Sequence, residues 1–446
     1  MNCLKIRGLL VTTKTPVQVS YEFVRQNLQG VDKFEQKLRL LGALHAIQDE
    51  RQIGRLHTYY PGQRTELDYT KYGVWLFPNE NWNEPLFYYT GTGIDHASKA
   101  IKGFTITVDP SARDAVRLYR NCVLPKALWL PPSLHHHAQG WDVFGIEVYV
   151  AVDNATDLTA NAIILMFFIN GVIVLRMPPR RGDLKGTVER TQQTIETRVV
   201  SSMPGYVSKK YTGLDPRYKK IRDRAKAKAN MTVADFQARL VEGIQEHNHA
   251  RHPDFKKPRI QVWRDGQEQA PLVLPTGRLQ LRTTFALTYE ATLTREGVQA
   301  ETLMFNSPEL HAVYRVHTGE KVHVKVDPDD VRSVLVFVPQ LNEPVEAFLS
   351  TFDLDFPMSL ELIRVVLKRL EERYTGNEVW REEIGFHLLD ELQRVQSGPM
   401  TRTPGKTKRS DAQAATHAVA LPTVTPQQVH TSTNVSLSDL LKGSKI

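Results

Sequence analysis

Ile146-Glu147-Val148-Tyr149-Val150-Ala151-Val152-Asp153-Asn154 is a β-branched and aromatic run closed by two turn-forming residues. A second apolar run follows at 162–175, broken by Asn170-Gly171. Then comes Pro178-Pro179-Arg180-Arg181-Gly182-Asp183-Leu184-Lys185-Gly186-Thr187-Val188-Glu189-Arg190. Residues 145–198 therefore read as a buried strand ending in Asp153, a helix, a short buried strand at 172–175, a loop, and a helix carrying Glu189. A carboxylate at the C-terminal end of a strand and another on a following helix can converge on one metal-binding point, here with 35 residues between them.

Three strands precede this unit, at 65–77, 87–95 and 103–108, each with strand-forming β-branched and aromatic residues. Asp109-Pro110-Ser111 opens a helix over 112–122, with Ser111 or Asp109 as its cap. The order is strand, strand, strand, helix, strand, helix, strand, helix. That is the order of an RNase H-like α/β domain: a mixed five-stranded sheet, beginning as an antiparallel meander, with flanking helices.

Beyond Glu189 the helix continues through Ile195 and Val199. Lys209, Lys210, Arg217, Lys219, Lys220 and the basic residues of 222–228 form a tyrosine-dotted connector. It reads equally as a solvated helix face and as a segment that meets phosphates. Thr232-Val233-Ala234-Asp235 has the form of a capping box, before a helix with Phe236, Leu240 and Ile244 on one face. Residues 280–340 alternate strongly at 285–289, 312–316, 322–326 and 334–338, separated by turn signals, and predict a small antiparallel β-barrel. Leu360, Ile363, Leu367 and Leu370 make one apolar stripe in a charged helical stretch. Past Ser397 the chain is poor in aromatics and rich in Thr, Ser, Pro and Lys, a composition of disorder. Its apolar island at 435–441 reads as a docking peptide or as an inert tail.

The expected division is a helical N-terminal segment (1–58), an RNase H-like catalytic domain (59–210), a basic helical connector (211–275), the small β-barrel (276–342), C-terminal helices (343–396) and a disordered tail with the docking peptide (397–446). Helical spacing in the first segment covers 21–28 and 31–48, either a helix-turn-helix remnant or a helical lead-in.

A chain of 446 residues with 41% hydrophobic and 24% charged residues has the composition of a multi-domain globular protein. Net charge is +8, which favours a polyanionic partner. Two cysteines, Cys3 and Cys122, exclude a disulfide framework and a cysteine-based zinc site, and fit a reducing cytoplasm. No apolar run reaches the ~20 residues of a membrane span. His135-His136-His137 cannot all face one ion and sits in a Pro-rich loop, so solvent exposure is expected.

Phosphoryl transfer on DNA needs an activated oxygen nucleophile and a stabilised leaving 3′-oxygen, which two divalent ions ~3.5–4 Å apart can supply. Mg²⁺ wants hard oxygen ligands, so three carboxylates plus substrate phosphate suffice. Asp68, inside the first strand, is the choice for the ligand that bridges both ions. Asp95, at a strand end, and Asp109, before Pro110, are its rivals. Asp68, Asp153 and Glu189 occur in RNase H order.

On these residues the sequence resembles the DDE transposase and retroviral integrase superfamily, and within it the Mu-phage transposase and TnsB/TniA-type enzymes. The resemblance is carried by Glu66-Leu67-Asp68-Tyr69-Thr70, residues 93–104, Val152-Asp153-Asn154, Lys185-Gly186-Thr187-Val188-Glu189-Arg190, and a barrel-like stretch over 294–330. It implies catalysis and metal ligation by Asp68, Asp153 and Glu189, with Mg²⁺ or Mn²⁺ as two ions per site. It implies contact of Lys185 and Arg190 with DNA phosphates, for which a solvated surface is the alternative. The implied reaction is metal-dependent cleavage at transposon DNA 3′ ends followed by strand transfer into target DNA. The implied partners are double-stranded DNA, further copies of the chain, and an AAA+ ATPase held through the tail, in a bacterial, nucleoid-associated, cytoplasmic setting. The competing reading is a catalytically impaired DNA- or ATPase-binding component of a transposition complex. Two departures stand out. The stretch before Arg64 is short for domains that read transposon ends, so end recognition is expected to be lost, truncated or supplied by a partner. Ala155 stands where the family motif usually has Gly.

Overall fold

The structure is a computed structural model describing residues 3–6, 9–12, 58–152, 161–177, 186–212, 215–268, 270–271, 273–275, 277–352, 354–373, 388, 391–392, 394–395 and 406–416. The chain divides into two compact units, Met1–His57 with Pro178–Leu184, and Thr58–Met177 with Lys185–Ile446. In the first, β1 (Cys3–Ile6) and β2 (Leu9–Thr12) pair antiparallel, so this part of the N-terminal segment is a strand pair rather than the expected helix. The alternating Leu4, Ile6, Leu9 and Val11 suit a ladder. The helices expected at 21–28 and 31–48 lie outside the described residues.

The second unit contains the predicted mixed sheet. Its strands are β3 (Arg64–Leu76), β4 (Leu86–Asp95), β5 (Ile101–Thr107), β6 (Tyr149–Val152) and β7 (Ile173–Arg176), in the spatial order β5-β4-β3-β6-β7. β3, β4 and β5 form an antiparallel meander, and β6 and β7 add in parallel on the other side of β3. The intervening helices are α1 (Ala112–Val123), α2 (Asn161–Ile169) and α3 (Gly186–Arg198). Ser111, not Asp109, caps α1, accepting from the Asp114 amide. α1 lies close over β4 because Gly93 has no side chain: a Cβ there would run into Cys122 Sγ.

Side-chain alternation along β3 splits the core in two. Leu67 joins Val116, Tyr119, Val150 and Phe167 beneath α1 and α2. Tyr72, Val74 and Leu76 join Val188 and Ile195 of α3 on the opposite face. That face is completed by α5 (Val233–His249), after the basic α4 (Lys219–Ala227), and by α6 (Arg259–Gln267). Thr232 and Asp235 make the reciprocal capping box expected for α5.

After α7 (Arg278–Thr284) comes a six-stranded antiparallel sheet. Its strands are β8 (Leu287–Thr292), β9 (Val298–Ala300), β10 (Leu303–Asn306), β11 (Lys321–Asp327), β12 (Asp330–Phe337) and β13 (Val345–Leu349), ordered β8-β11-β12-β13-β10-β9. β8 and β9, the two edges, approach each other, so the sheet is barrel-like and nearly closed. Its last strand, β13, lies wholly beyond residue 342, where the barrel is expected to end. One expected strand, 312–316, is instead in and after α8 (Pro308–Tyr314). Ser307 caps α8 and Pro308 opens it, a helix-start signal that outweighs the apolar alternation.

α9 (Leu360–Arg373) buries Leu360, Ile363 and Leu370 of the predicted stripe, while Leu367 is partly buried. The tail was expected to be disordered from 397, yet Lys406–Thr416 forms α10. Ala412 and Ala415 are buried in one core cluster and Ala414 in the other, small residues that composition statistics pass over. Gln413 Oε1 accepts from the Val108 amide (2.6 Å) and Thr107 Oγ1 (3.0 Å), and its Nε2 donates to Asp114 (3.1 Å). The island at 435–441 lies outside the described residues. His135 and His136 are exposed as expected, and His135 Nε2 contacts the Leu130 carbonyl at 2.9 Å.

Lys126 is buried with its ammonium on the Val143 carbonyl (2.9 Å), 5.1 Å from the Trp141 ring centroid. Burial pushes its pKa from 10.5 down to about 7. Between those values the folded chain holds fewer protons than the unfolded chain, so this residue makes stability rise with pH. Urea unfolding should therefore show wild type gaining about 2 kcal/mol from pH 7 to 9 relative to Lys126→Met, which lacks the titrating group. Parallel pH dependences would remove Lys126 as the cause.

Candidate active site

β3 is the central strand, and Glu66 and Asp68 share its α3-facing side. Two links lay α3 along it. Glu66 Oε2 accepts from the Val188 amide at 3.0 Å, and Gln192 Nε2 donates to the Asp68 carbonyl at 3.4 Å. The spacing is commensurate: four helix residues rise about 6 Å, and two strand residues advance about 6.7 Å. Glu189 falls between these links in sequence. Its side chain is exposed, and Asp68 is partly exposed. The fold thus brings the elements carrying two of the three expected acids together at one level of the sheet.

β6 runs parallel to β3 with Glu66 beside Ala151, and it ends at Val152. Asp153, the next residue, lies outside the described residues, as does Lys185. Arg190 is exposed on the first turns of α3, which suits a residue meeting solvent or phosphate. Among the described residues, no three His, Cys, Asp or Glu side chains are grouped to hold a metal.

The rivals have structural surroundings. Asp95 is fully buried, and its carboxylate accepts from the Gly62 amide, the Ser98 amide and Ser98 Oγ, each at 2.7 Å. Burial pushes its pKa up while those hydrogen bonds oppose the shift. It organises the turn after β4. Asp109 is exposed beyond β5.

Several charged residues around the first turn of α3 carry no assigned role in the sequence reading. Glu66 is fully buried, with Arg64 Nη2 at 3.3 Å and His96 Nε2 at 3.6 Å from its Oε1. Burial, reinforced by the charges of Lys99 and Arg64, pushes His96 down to about 3, so its ring is neutral at physiological pH. Lys99 holds a left-handed backbone (φ 62°) and donates from Nζ to Thr187 Oγ1 at 3.0 Å. Behind these, buried Lys102 reaches Glu147 at 2.5 Å, Thr65 Oγ1 at 3.0 Å and the Gly145 carbonyl at 2.9 Å. The only sequence signal for Glu66 was its two-residue offset from Asp68, which puts both on one strand face.

This architecture defines an RNase H-like α/β domain followed by a barrel-like β-sheet. Residues 66–205 match the TnsB C-terminal domain family, a span that includes Asp68, Asp153, Lys185, Glu189 and Arg190. Residues 282–343 match the family described as Mu transposase, C-terminal. A curated relative, the transposon Tn7 transposition protein TnsB of Escherichia coli, is 29% identical over 153 residues, covering 33% of this chain and 21% of that protein. The chain therefore matches about a fifth of that relative's length.

Among solved structures, the catalytic core domain of BIV integrase overlaps 47% of this chain and 97% of its own, at 12% identity and TM-score 0.27. The HTLV-2 integrase core in complex with magnesium overlaps 46% and 99%, at 11% identity and TM-score 0.28. The simian T-cell lymphotropic virus intasome with a PP2A regulatory subunit overlaps 75% and 94%, at 14% identity and TM-score 0.31. These overlaps are too loose to carry a functional argument. The two family matches thus fall in chain order, the first over the RNase H-like domain and the second over the barrel-like sheet.

Proposed function

We propose that the chain is a DDE-type transposase, catalysing metal-dependent DNA 3′-end cleavage and strand transfer into target DNA. The observation that carries this reading is the pair of hydrogen bonds tying α3, the helix of Glu189, to β3, the strand of Asp68, inside the segment that matches the TnsB family. Asp68, Asp153 and Glu189 are the proposed metal ligands and catalytic residues, and Lys185 and Arg190 the proposed DNA contacts. The donor chemistry fits Mg²⁺ or Mn²⁺: Asp68 and Glu189 offer hard carboxylate oxygens from solvent-accessible positions on two packed elements. Two such ions, when bound, supply positive charge to the attacking and leaving oxygens of a phosphoryl transfer.

The chain's own part is positional. Asp68, on a central strand, is held by ladder hydrogen bonds to β4. Glu189 and Arg190 stand near the α3 N-terminus, where the helix dipole favours a phosphate. The proposed partners are double-stranded DNA at transposon ends and target, further copies of this chain, and an AAA+ ATPase bound through the tail. The proposed setting is the bacterial cytoplasm, on the nucleoid. No helix among the described residues is long and apolar enough to cross a membrane.

The test is joining of pre-cut DNA ends to target DNA with Mg²⁺ or Mn²⁺, comparing wild type with Asp153→Asn. Joining by wild type alone is expected. Equal joining by both proteins would sink the reading, and joining by neither would favour an impaired DNA-binding component.

A further inference from the structure

We propose that Glu66 is a positioning residue for Glu189: it grips the first turn of α3 through the Val188 amide and so fixes where the next carboxylate stands relative to Asp68. This rests on the proposed function, because it concerns the placement of a proposed metal ligand.

First-turn amides of a helix have no acceptor within the helix. They are normally satisfied by a nearby capping side chain or by water. Here the acceptor comes from 122 residues upstream, on a different element. It is a carboxylate with no exposed surface, flanked by Arg64 and His96. A buried carboxylate is a costly choice beside Leu67 in a well-packed strand, and an apolar side chain would fill the space as readily. What an apolar side chain cannot do is fix the helix along the strand by a directional bond.

A second clasp acts one residue earlier. Lys99 adopts a left-handed backbone, uncommon for a residue with a side chain, and its ammonium donates to Thr187 Oγ1. The third link, from Gln192 to the Asp68 carbonyl, lies one turn further on. Glu189 falls within this span, so its backbone is tied on both sides to the strand that bears Asp68. Apolar packing alone allows small slides and rotations of a helix, whereas a metal site tolerates displacements of only about 0.5 Å. Glu66 touches no reacting atom and acts through Glu189.

The test uses the full chain with Glu66→Ala, Glu66→Gln and Lys99→Met, and Glu189→Gln as a control. Joining of pre-cut ends, DNA retention and amide hydrogen exchange of peptides covering 186–192 are measured on each. Glu66→Ala is expected to slow joining by about 10- to 100-fold, as loss of a partner behind a metal ligand does. It should also speed exchange at 186–192 while retaining DNA binding. Glu66→Gln keeps an acceptor oxygen at the same reach and is expected to recover most of the joining and the slow exchange. Lys99→Met should move both readouts the same way as Glu66→Ala, by a smaller factor.

Wild-type joining and exchange in Glu66→Ala, with Glu189→Gln inactive, overturn this proposal and leave the functional reading intact. A Glu66→Gln protein as slow as Glu66→Ala overturns it too. Wild-type joining by Glu189→Gln sinks the functional reading and this proposal with it. If Glu66→Ala fails to fold, Lys99→Met decides: slower joining with faster exchange at 186–192 supports the clasp, and wild-type values overturn it.

Discussion

Glu189→Gln is expected to bind double-stranded DNA at least as tightly as wild type while joining falls by more than about 100-fold, since even partners standing behind metal ligands cost 10- to 100-fold. The substitution preserves size and removes one negative charge from an exposed position. Loss of that charge removes a direct repulsion of phosphates. The fold should be unaffected, because the bonds between α3 and β3 are made by Val188 and Gln192 rather than by Glu189. A gel-shift titration and a joining assay on the same preparation separate the two effects. Parallel loss of binding and joining would count against Glu189 as a metal ligand and point to a damaged DNA surface.

Arg117→Met is expected to destabilise the chain by about 3–5 kcal/mol, the usual result of removing one member of a buried ionic group. Arg117 lies on α1 and is buried. Its guanidinium reaches Asp329 at 2.5 Å, Glu361 at 2.6 Å and Asp114 at 3.3 Å. These carboxylates hang from the β11–β12 turn, from α9 and from α1 itself, so one cation joins the RNase H-like core, the barrel-like sheet and the C-terminal helix. Arg113 and Arg120 add bonds to Glu361 and Asp329. The nearby acids hold Arg117 above its ordinary pKa against the opposing effect of burial. Removing it would take the shared cation away from three acids, two of them buried, and leave each with only its remaining partners. By contrast, Arg264→Ala breaks a half-exposed pair with Asp142 and should cost no more than about 1 kcal/mol. Denaturant unfolding of both variants gives the comparison, and similar small losses would mean that the Arg117 cluster contributes little.

The strand and helix order could be read from the sequence because its signals were local. The run ending at Val152 and the meander over 65–108 carry their pattern in neighbouring residues, and Thr232 and Asp235 form their capping box within one turn. The features missed by sequence reasoning depend on partners far along the chain. Nothing near Glu66 indicates that it accepts from Val188, and nothing near Gln413 indicates that it satisfies the Val108 amide. The stretch at 312–316 alternates like a strand, but the Ser307-Pro308 helix start upstream prevails over that pattern. Asp95 is engaged in turn-organising bonds to Gly62 and Ser98, the first of which lies far upstream in the sequence. For the site itself, sequence spacing suggested the acids, and the structure supplied the pinning of α3 on β3.

The most direct measurement is an anomalous-scattering map from crystals of the full chain bound to DNA ends and soaked in Mn²⁺. Two peaks ~3.5–4 Å apart are expected, with carboxylate oxygens of Asp68, Asp153 and Glu189 about 2.0–2.3 Å from them. Peaks elsewhere, or any of the three carboxylates turned away from both ions, would contradict the assignment.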